Sequence, residues 1–150
     1  ATTEIYPLSL HDALPISHIT GGTVRQTFDV WMATNAQFFT EWRDTAVYPQ
    51  NVGPSVRFDG TGPVSVGGKT LGRVPAGTWV HVEVEARLGK TAPRSFKLTF
   101  QTTGESPQVF DNLPLSGRDF RELHWLGFSS TATADTAFHV DNLTVKPLER

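Results

Sequence analysis

Residues 79–88, WVHVEVEARL, alternate without a break: Val80, Val82, Val84, Ala86 and Leu88 fall on one side, Trp79, His81, Glu83, Glu85 and Arg87 on the other. A period of two is that of a strand with one buried face. Residues 95–102 repeat it, with Phe96, Leu98 and Phe100 set against Lys97, Thr99 and Gln101, and the intervening GKTAPR turn makes the pair a long hairpin. Upstream, TVRQTFDVWM from Thr23 places Val24, Phe28, Val30 and Met32 together, with Gln26 as a polar interruption. Residues 36–43, AQFFTEWR, are aromatic enough to form a strand but leave open which face is buried. Residues 44–54 read as a loop carrying Tyr48.

Between residues 55 and 77, short apolar pieces are cut by DGTG, GGK and VPAG, the punctuation of tight hairpins. A short strand follows at residues 108–113, and residues 117–123 are the one place where a helical turn fits. Residues 124–130 and 136–146 close the chain. In the latter, Phe138 and Val140 share one parity while Leu143 and Val145 share the other, so the period slips at Asp141 and Asn142 and predicts a β-bulge there. About ten short strands between Gly and Pro turns predict an all-β chain folded as an antiparallel two-layer β-sandwich or jelly roll.

The length of 150 residues suits one domain. A net charge of −2 offers no basic field, so nucleic acid is not an expected partner. No apolar run approaches the roughly 20 residues that span a bilayer, so no membrane insertion is expected. The absence of cysteine removes disulfides, thiolate nucleophiles and Cys-based zinc sites together. Residues 1–16, ATTEIYPLSLHDALPI, lack the basic start and apolar centre of a signal peptide. They resemble the translated adapter read-through at the ends of metagenomic genes, which implies a non-native or disordered leader followed by the domain proper at 17–150.

Several kinds of chemistry are missing from the sequence. There is no G-x-S-x-G elbow, no H-E-x-x-H, no metal spacing among the five histidines and no G-x-G-x-x-G ahead of a helix. Glu83 and Glu85, two apart on one strand face, stand ~6 to 7 Å apart at the backbone, within the range of paired glycosidase carboxylates. His81 and Arg87 on that face make a mixed polar surface the favoured reading. Sugars are held by flat aromatic faces beside polar groups, and Trp31, Glu41, Arg43, Tyr48, Trp79, His81 and Glu83 are the candidates. If Phe38 and Trp42 point inward, Glu41 and Arg43 emerge on the face that His81 and Glu83 line. The competing reading is a structural Glu–Arg pair and core tryptophans. Asp141, between Val140 and Leu143, needs a cation or N–H donors if it is buried.

The motif order TFDVW, FTEWRD, GPSVRFDG, VPAGTWVHVEV and FHVDNLTV resembles the concanavalin A-like lectin and glucanase jelly rolls, especially LamG-like modules of large secreted bacterial proteins. The similarity runs over residues 23–145 and is anchored at Pro75, Gly77, Trp79, His81, Glu83, Phe138, Val140, Asp141 and Asn142. It implies a secreted or cell-surface, non-catalytic carbohydrate-binding or adhesive accessory module, with a polysaccharide or glycan and neighbouring domains as partners. It also implies a structural calcium held by Asp141 with Asp29, against which stands a carboxylate capped by N–H groups or an arginine. The alternatives are a packing module without ligand and a degenerate glycoside hydrolase or polysaccharide lyase using Glu83 and Glu85. Laminarinase-type glucanases carry Glu, apolar, Asp, apolar, Glu, and VHVEVEAR lacks the central Asp and third carboxylate. Such jelly rolls usually have strands ahead of TFDVW, so the last strand is expected to present an unpaired edge.

Overall fold

Strands account for all the regular structure of the described residues, 3–5, 18–46 and 48–148, in the computed structural model. They are β1 (Thr3–Ile5), β2 (Gly22–Met32), β3 (Gln37–Asp44), β4 (Asn51–Asp59), β5 (Pro63–Val66), β6 (Lys69–Arg73), β7 (Val80–Leu88), β8 (Ser95–Thr102), β9 (Gln108–Pro114), β10 (Trp125–Ser130) and β11 (Phe138–Leu148). A six-stranded sheet runs β1-β11-β2-β7-β8-β9 and a five-stranded sheet β10-β3-β4-β5-β6, with every pairing antiparallel. This is the two-layer β-sandwich that the alternation predicts.

The inner faces hold the residues that the period of two assigns to them. Val24, Phe28, Val30, Met32, Val80, Val82, Val84, Phe96, Leu98 and Phe100 line the six-stranded sheet, while Phe38, Trp42, Val56, Phe58, Leu126 and Phe128 line the other, and all are buried. Aromatic rings join the layers. Phe28 meets Phe128 edge-on at 5.0 Å, and Phe38 stacks on Phe138 at 4.0 Å. Gln26 lies wholly buried among them. Its Oε1 accepts the Trp42 Nε1–H at 2.7 Å and its Nε2 donates to Thr40 Oγ1 at 3.0 Å, while Thr40 Oγ1 donates to the Gly127 carbonyl at 3.0 Å. A polar thread thus pins β2 to β3 and β10 through the core, and each link satisfies a group that burial alone would penalise.

Three expectations shift. Residues 117–123 form an irregular crossing from β9 to β10 rather than a helical turn. Gly117 N–H donates to the Val52 carbonyl at 2.6 Å and Ser116 N–H to Gly53 at 3.0 Å, so the crossing is held by β4 and not by its own backbone. The predicted loop 44–54 is shorter, because β4 begins at Asn51. Tyr48 sits on what remains, 95% exposed and followed by a cis Tyr48–Pro49 bond. The edge expected on the last strand is partly covered, since β1 pairs with Phe138, His139 and Val140 of β11. Thr3, Glu4 and Ile5 of β1 belong to the segment read as a leader, and the rest of residues 1–16 lie outside the described residues.

The bulge is where the slipping period places it. Register between β11 and β2 shifts between Asp141 and Thr144, with Asn142 at φ 54°.

Candidate functional site

The sandwich has two outer faces, and the residues expected to act together are divided between them. Glu41 and Arg43 belong to β3 of the five-stranded sheet, whereas Trp31, His81, Glu83, Asp29 and Asp141 belong to the six-stranded sheet, with Trp79 just ahead of β7. Phe38 and Trp42 do point inward, but the polar face opposite them is not the one that His81 lines. Alternation fixes inside from outside, while sheet membership depends on nonlocal pairing.

On the six-stranded sheet, Asp29 stands opposite His81 on β7 and Asp141 on β11. His81 Nδ1 meets Asp29 Oδ1 at 2.7 Å and its Nε2 meets Glu83 Oε2 at 3.0 Å. Arg25 donates to Glu85 from Nη2 at 2.8 Å and approaches Glu83 at 3.7 Å. The bulge turns Asn142 so that its Nδ2 donates to Asp29 Oδ2 at 2.8 Å, and Asn142 N–H caps Asp141 Oδ1 at 2.8 Å. Both oxygens of Asp29, proposed above as a calcium ligand, therefore have hydrogen-bond partners in side chains. A cleft of about 470 Å³ opens here between Asp29, Trp79, His81, Gln101, Asp141 and Asn142. Trp31 lies apart from it, edge-on to His139 at 5.2 Å.

Desolvation resists the imidazolium of His81, but the hydrogen bonds and charges of Asp29 and Glu83 outweigh it and raise the pKa above the ordinary 6.5. Because the folded value is the higher one, this contribution to stability is full below the unfolded pKa and disappears as pH rises through the folded one. The stability gap between the native chain and His81→Gln is expected to narrow as pH climbs from 6 toward 9 (on the scale of an ordinary His titration), measured by urea unfolding at each pH. A gap constant over that range would remove the imidazolium from the account.

The five-stranded sheet offers a different surface. Phe39, Glu41 and Arg43 on β3, Ser55 and Arg57 on β4, Ser65 on β5, and Trp125 and Ser129 on β10 alternate with the buried set and so share the outer side. Arg43 Nε donates to Glu41 Oε1 at 2.6 Å while its guanidinium lies 4.2 Å from the centre of the Trp125 ring. Arg57 lies 5.5 Å over Phe39 and donates to Thr131 Oγ1 at 3.0 Å. Each guanidinium thus lies over an aromatic ring, which restricts its direction. Beside Arg57 a groove of about 350 Å³ runs between Ser55, Ser65, Gly67, Gly68 and Ser116.

The fold is shared with polysaccharide lyases. The alginate lyase of Aplysia kurodai (PL-14) superposes with a TM-score of 0.59 at 12% identity, covering 89% of this chain and 72% of its own. The endo-β-1,4-glucuronan lyase of the fungus Trichoderma reesei gives 0.57 at 8% identity over 98% and 79% of the two chains. The alginate lyase Aly36B bound to an alginate trisaccharide gives 0.54 at 12% identity over 91% and 74%. No protein-family profile matches the sequence, and no match emerges among curated proteins.

These similarities correct the expectation of a non-catalytic accessory module and of a chain that is not an enzyme. Solved structures that share the architecture over nearly all of this chain include lyases, so the jelly roll does not by itself mark an appended module. The motifs quoted for the lectin-like reading describe strands and turns, and those are common to binding and catalytic jelly rolls.

Sequence reasoning passed over Phe39, Ser55, Arg57 and Trp125. The alternation of Ser55 and Arg57 with Val56 and Phe58 was a usable signal for the outer face of β4. It also passed over His18, Glu122 and His124, which form the one group of three metal-ligating side chains among the described residues. No local signal joins residues 104 positions apart. Among those residues no helix is long and apolar enough to cross a membrane.

Proposed function

We propose that the chain is a polysaccharide lyase acting on a uronate-containing polymer that lies along the outer face of the five-stranded sheet. The observation that carries this reading is the pair of ring-backed guanidinium groups, Arg43 on Trp125 and Arg57 on Phe39, on one hydroxyl-lined face. A polyuronate needs fixed cations for its carboxylates and flat apolar surface for its sugar rings. The opposite cleft supplies the wrong sign. Asp29 and Asp141 line it, with Glu83 beside His81, and a like-charge pair at 4 Å costs about 4 kcal/mol at an effective dielectric constant near 20. The solved structures that share the fold are described as alginate and glucuronan lyases, which supports the same substrate class.

The reaction suited to this face is β-elimination. An arginine paired with the uronate carboxylate stabilises the charge that develops when the C5 proton leaves. Tyr48, on the loop that follows β3, is the residue we assign to take up that proton, acting in its deprotonated form. The C5–H electron pair becomes the C4=C5 double bond, the C4–O4 bond breaks, and the Tyr48 phenol returns the proton to the departing O4. Protons and electrons balance without water or an added oxidant. A long polymer is met outside a cell, in keeping with a secreted location.

The test is to incubate the chain with alginate, glucuronan and a neutral glucan and to follow the ultraviolet absorbance of the unsaturated product. Absorbance should grow with a polyuronate and not with the glucan. Tyr48→Phe should lower the rate by at least about a hundredfold, the scale of general acid–base catalysis, with an unchanged unfolding midpoint. Glu83→Gln should leave the rate as it is. Silence on every polyuronate across a broad pH range, or loss of activity in Glu83→Gln alone, would overturn the reading.

A further inference from the structure

We infer that His18, Glu122 and His124 form a binding site for a divalent transition metal, with zinc as the best-fitting ion. The inference is independent of the lyase reading, because it concerns a different cluster and needs no activity for its test.

The site is built by backbone pairing. Ile19 and Leu123 form an isolated antiparallel bridge, with N–H to carbonyl distances of 3.0 and 2.9 Å. Leu123 is fully buried and Ile19 packs on the core, so the two flanking apolar side chains anchor the ribbon. His18 then stands across from His124, and Glu122 is on the same side because it is two residues from His124. The two imidazoles come within 3.8 Å, ring centre to ring centre. A further bond from His124 N–H to the Arg43 carbonyl, at 3.0 Å, fixes the ribbon against β3.

The donor atoms converge. Glu122 Oε2 lies 2.6 Å from His18 Nε2 and 3.5 Å from His124 Nε2, and the group's ligand atoms all fall within 4.8 Å of one another. Around a tetrahedral zinc with ligands at ~2.0 to 2.1 Å, adjacent donors are separated by about 3.3 Å, so a small outward movement of His18 completes the fit. Two imidazole nitrogens and one carboxylate suit zinc better than calcium or magnesium, which take oxygen ligands. Three protein ligands leave a fourth position for water.

A second layer favours the same outcome. Asp44 Oδ1 lies 2.9 Å from His124 Nδ1, the position of the carboxylate that orients a metal-bound histidine. The Thr45 N–H lies 3.1 Å from that same Nδ1, so this atom faces both a donor and a carboxylate. A metal on Nε2 would leave Nδ1–H to donate to Asp44, at the expense of the Thr45 contact.

The rival occupant is a proton shared between His18 and Glu122. To separate the two, the full chain is stripped with a chelator and titrated with zinc chloride by calorimetry, and with cobalt by visible absorption. One zinc per chain, a tetrahedral cobalt spectrum and a zinc-dependent rise in the unfolding midpoint are expected. His18→Gln, at an exposed position, should fold normally yet lose the midpoint shift. Asp44→Asn should weaken zinc binding ten- to a hundredfold, the range typical of such supporting groups. Coordination should appear as zinc-dependent shifts of the His18 and His124 ring nitrogens in nitrogen-15 spectra. No stoichiometric zinc uptake by the native chain, or equal uptake by His18→Gln, would overturn the site.

Discussion

Gln26→Ala is expected to destabilise the fold by about 2 to 4 kcal/mol, the sum of a cavity and a buried donor left without a partner. The position is wholly enclosed, so water cannot replace the lost amide without a new opening. Gln26→Leu keeps most of the volume and isolates the polar part of the cost. In that variant Trp42 Nε1 loses its acceptor at 2.7 Å and Thr40 loses the donor at 3.0 Å, which should cost about 1 to 3 kcal/mol. Combining Gln26→Leu with Trp42→Phe removes donor and acceptor together, so the double variant should be less damaged than the sum of the singles. Urea unfolding of the native chain and of the four variants, Trp42→Phe alone included, measures this. Additive losses, or a loss below about 0.5 kcal/mol for Gln26→Ala, would mean that the thread does not hold the layers together.

Arg43→Ala is expected to cost about a hundred- to a thousandfold in turnover of a polyuronate, the size of effect seen when one preorganised charge-stabilising donor is removed. Arg43 also holds Glu41, whose Oε2 accepts from Ser55 at 3.4 Å, so the alanine variant leaves a poorly exposed carboxylate without its cation. Arg43→Lys is the control. It restores the charge but not the flat contact with Trp125, and partial recovery of turnover with full recovery of stability would assign the charge to the reaction. Arg57, more exposed, should act mainly through binding: Arg57→Ala is expected to raise KM about tenfold and to change kcat little, and added salt should mimic it. Turnover of Arg43→Ala equal to that of the native chain would move the site away from this face.

The fold was legible because its signal is local. Val80 through Leu88 show their buried side in nine residues, and the slip at Asp141 and Asn142 announces the bulge without any knowledge of β2. Gln26 was visible as an interruption, but what makes it useful, Trp42 and Thr40 on another strand of the other sheet, is invisible to periodicity. The same limit governs the site. Glu41 and Arg43 have the parity of an outer face, and so do His81 and Glu83, yet β3 pairs with β4 and β10 while β7 pairs with β2 and β8. Parity has two values, and a sandwich has two outer sides that share one of them.

The activity was misjudged for a related reason. Turn glycines and buried valines are what a jelly roll needs in order to fold, whatever it later binds or cleaves. The cations that give one face its character are spread over β3 and β4, each ordinary by itself, and they become a surface only when their rings and neighbours are seen together.

The crossing from β9 to β10 has a consequence for substrate choice. A side chain at Gly53 would begin 2.5 Å from the Phe120 ring, and one at Gly117 would begin 2.8 Å from the Val52 carbonyl. Leu115 and Ser116, which form one bank of the groove beside Arg57, hang from that seam. On the proposed lyase reading, the width left for a polymer beside Arg57 depends on this close approach of two backbones, and a Cβ at residue 53 is expected to push the seam apart.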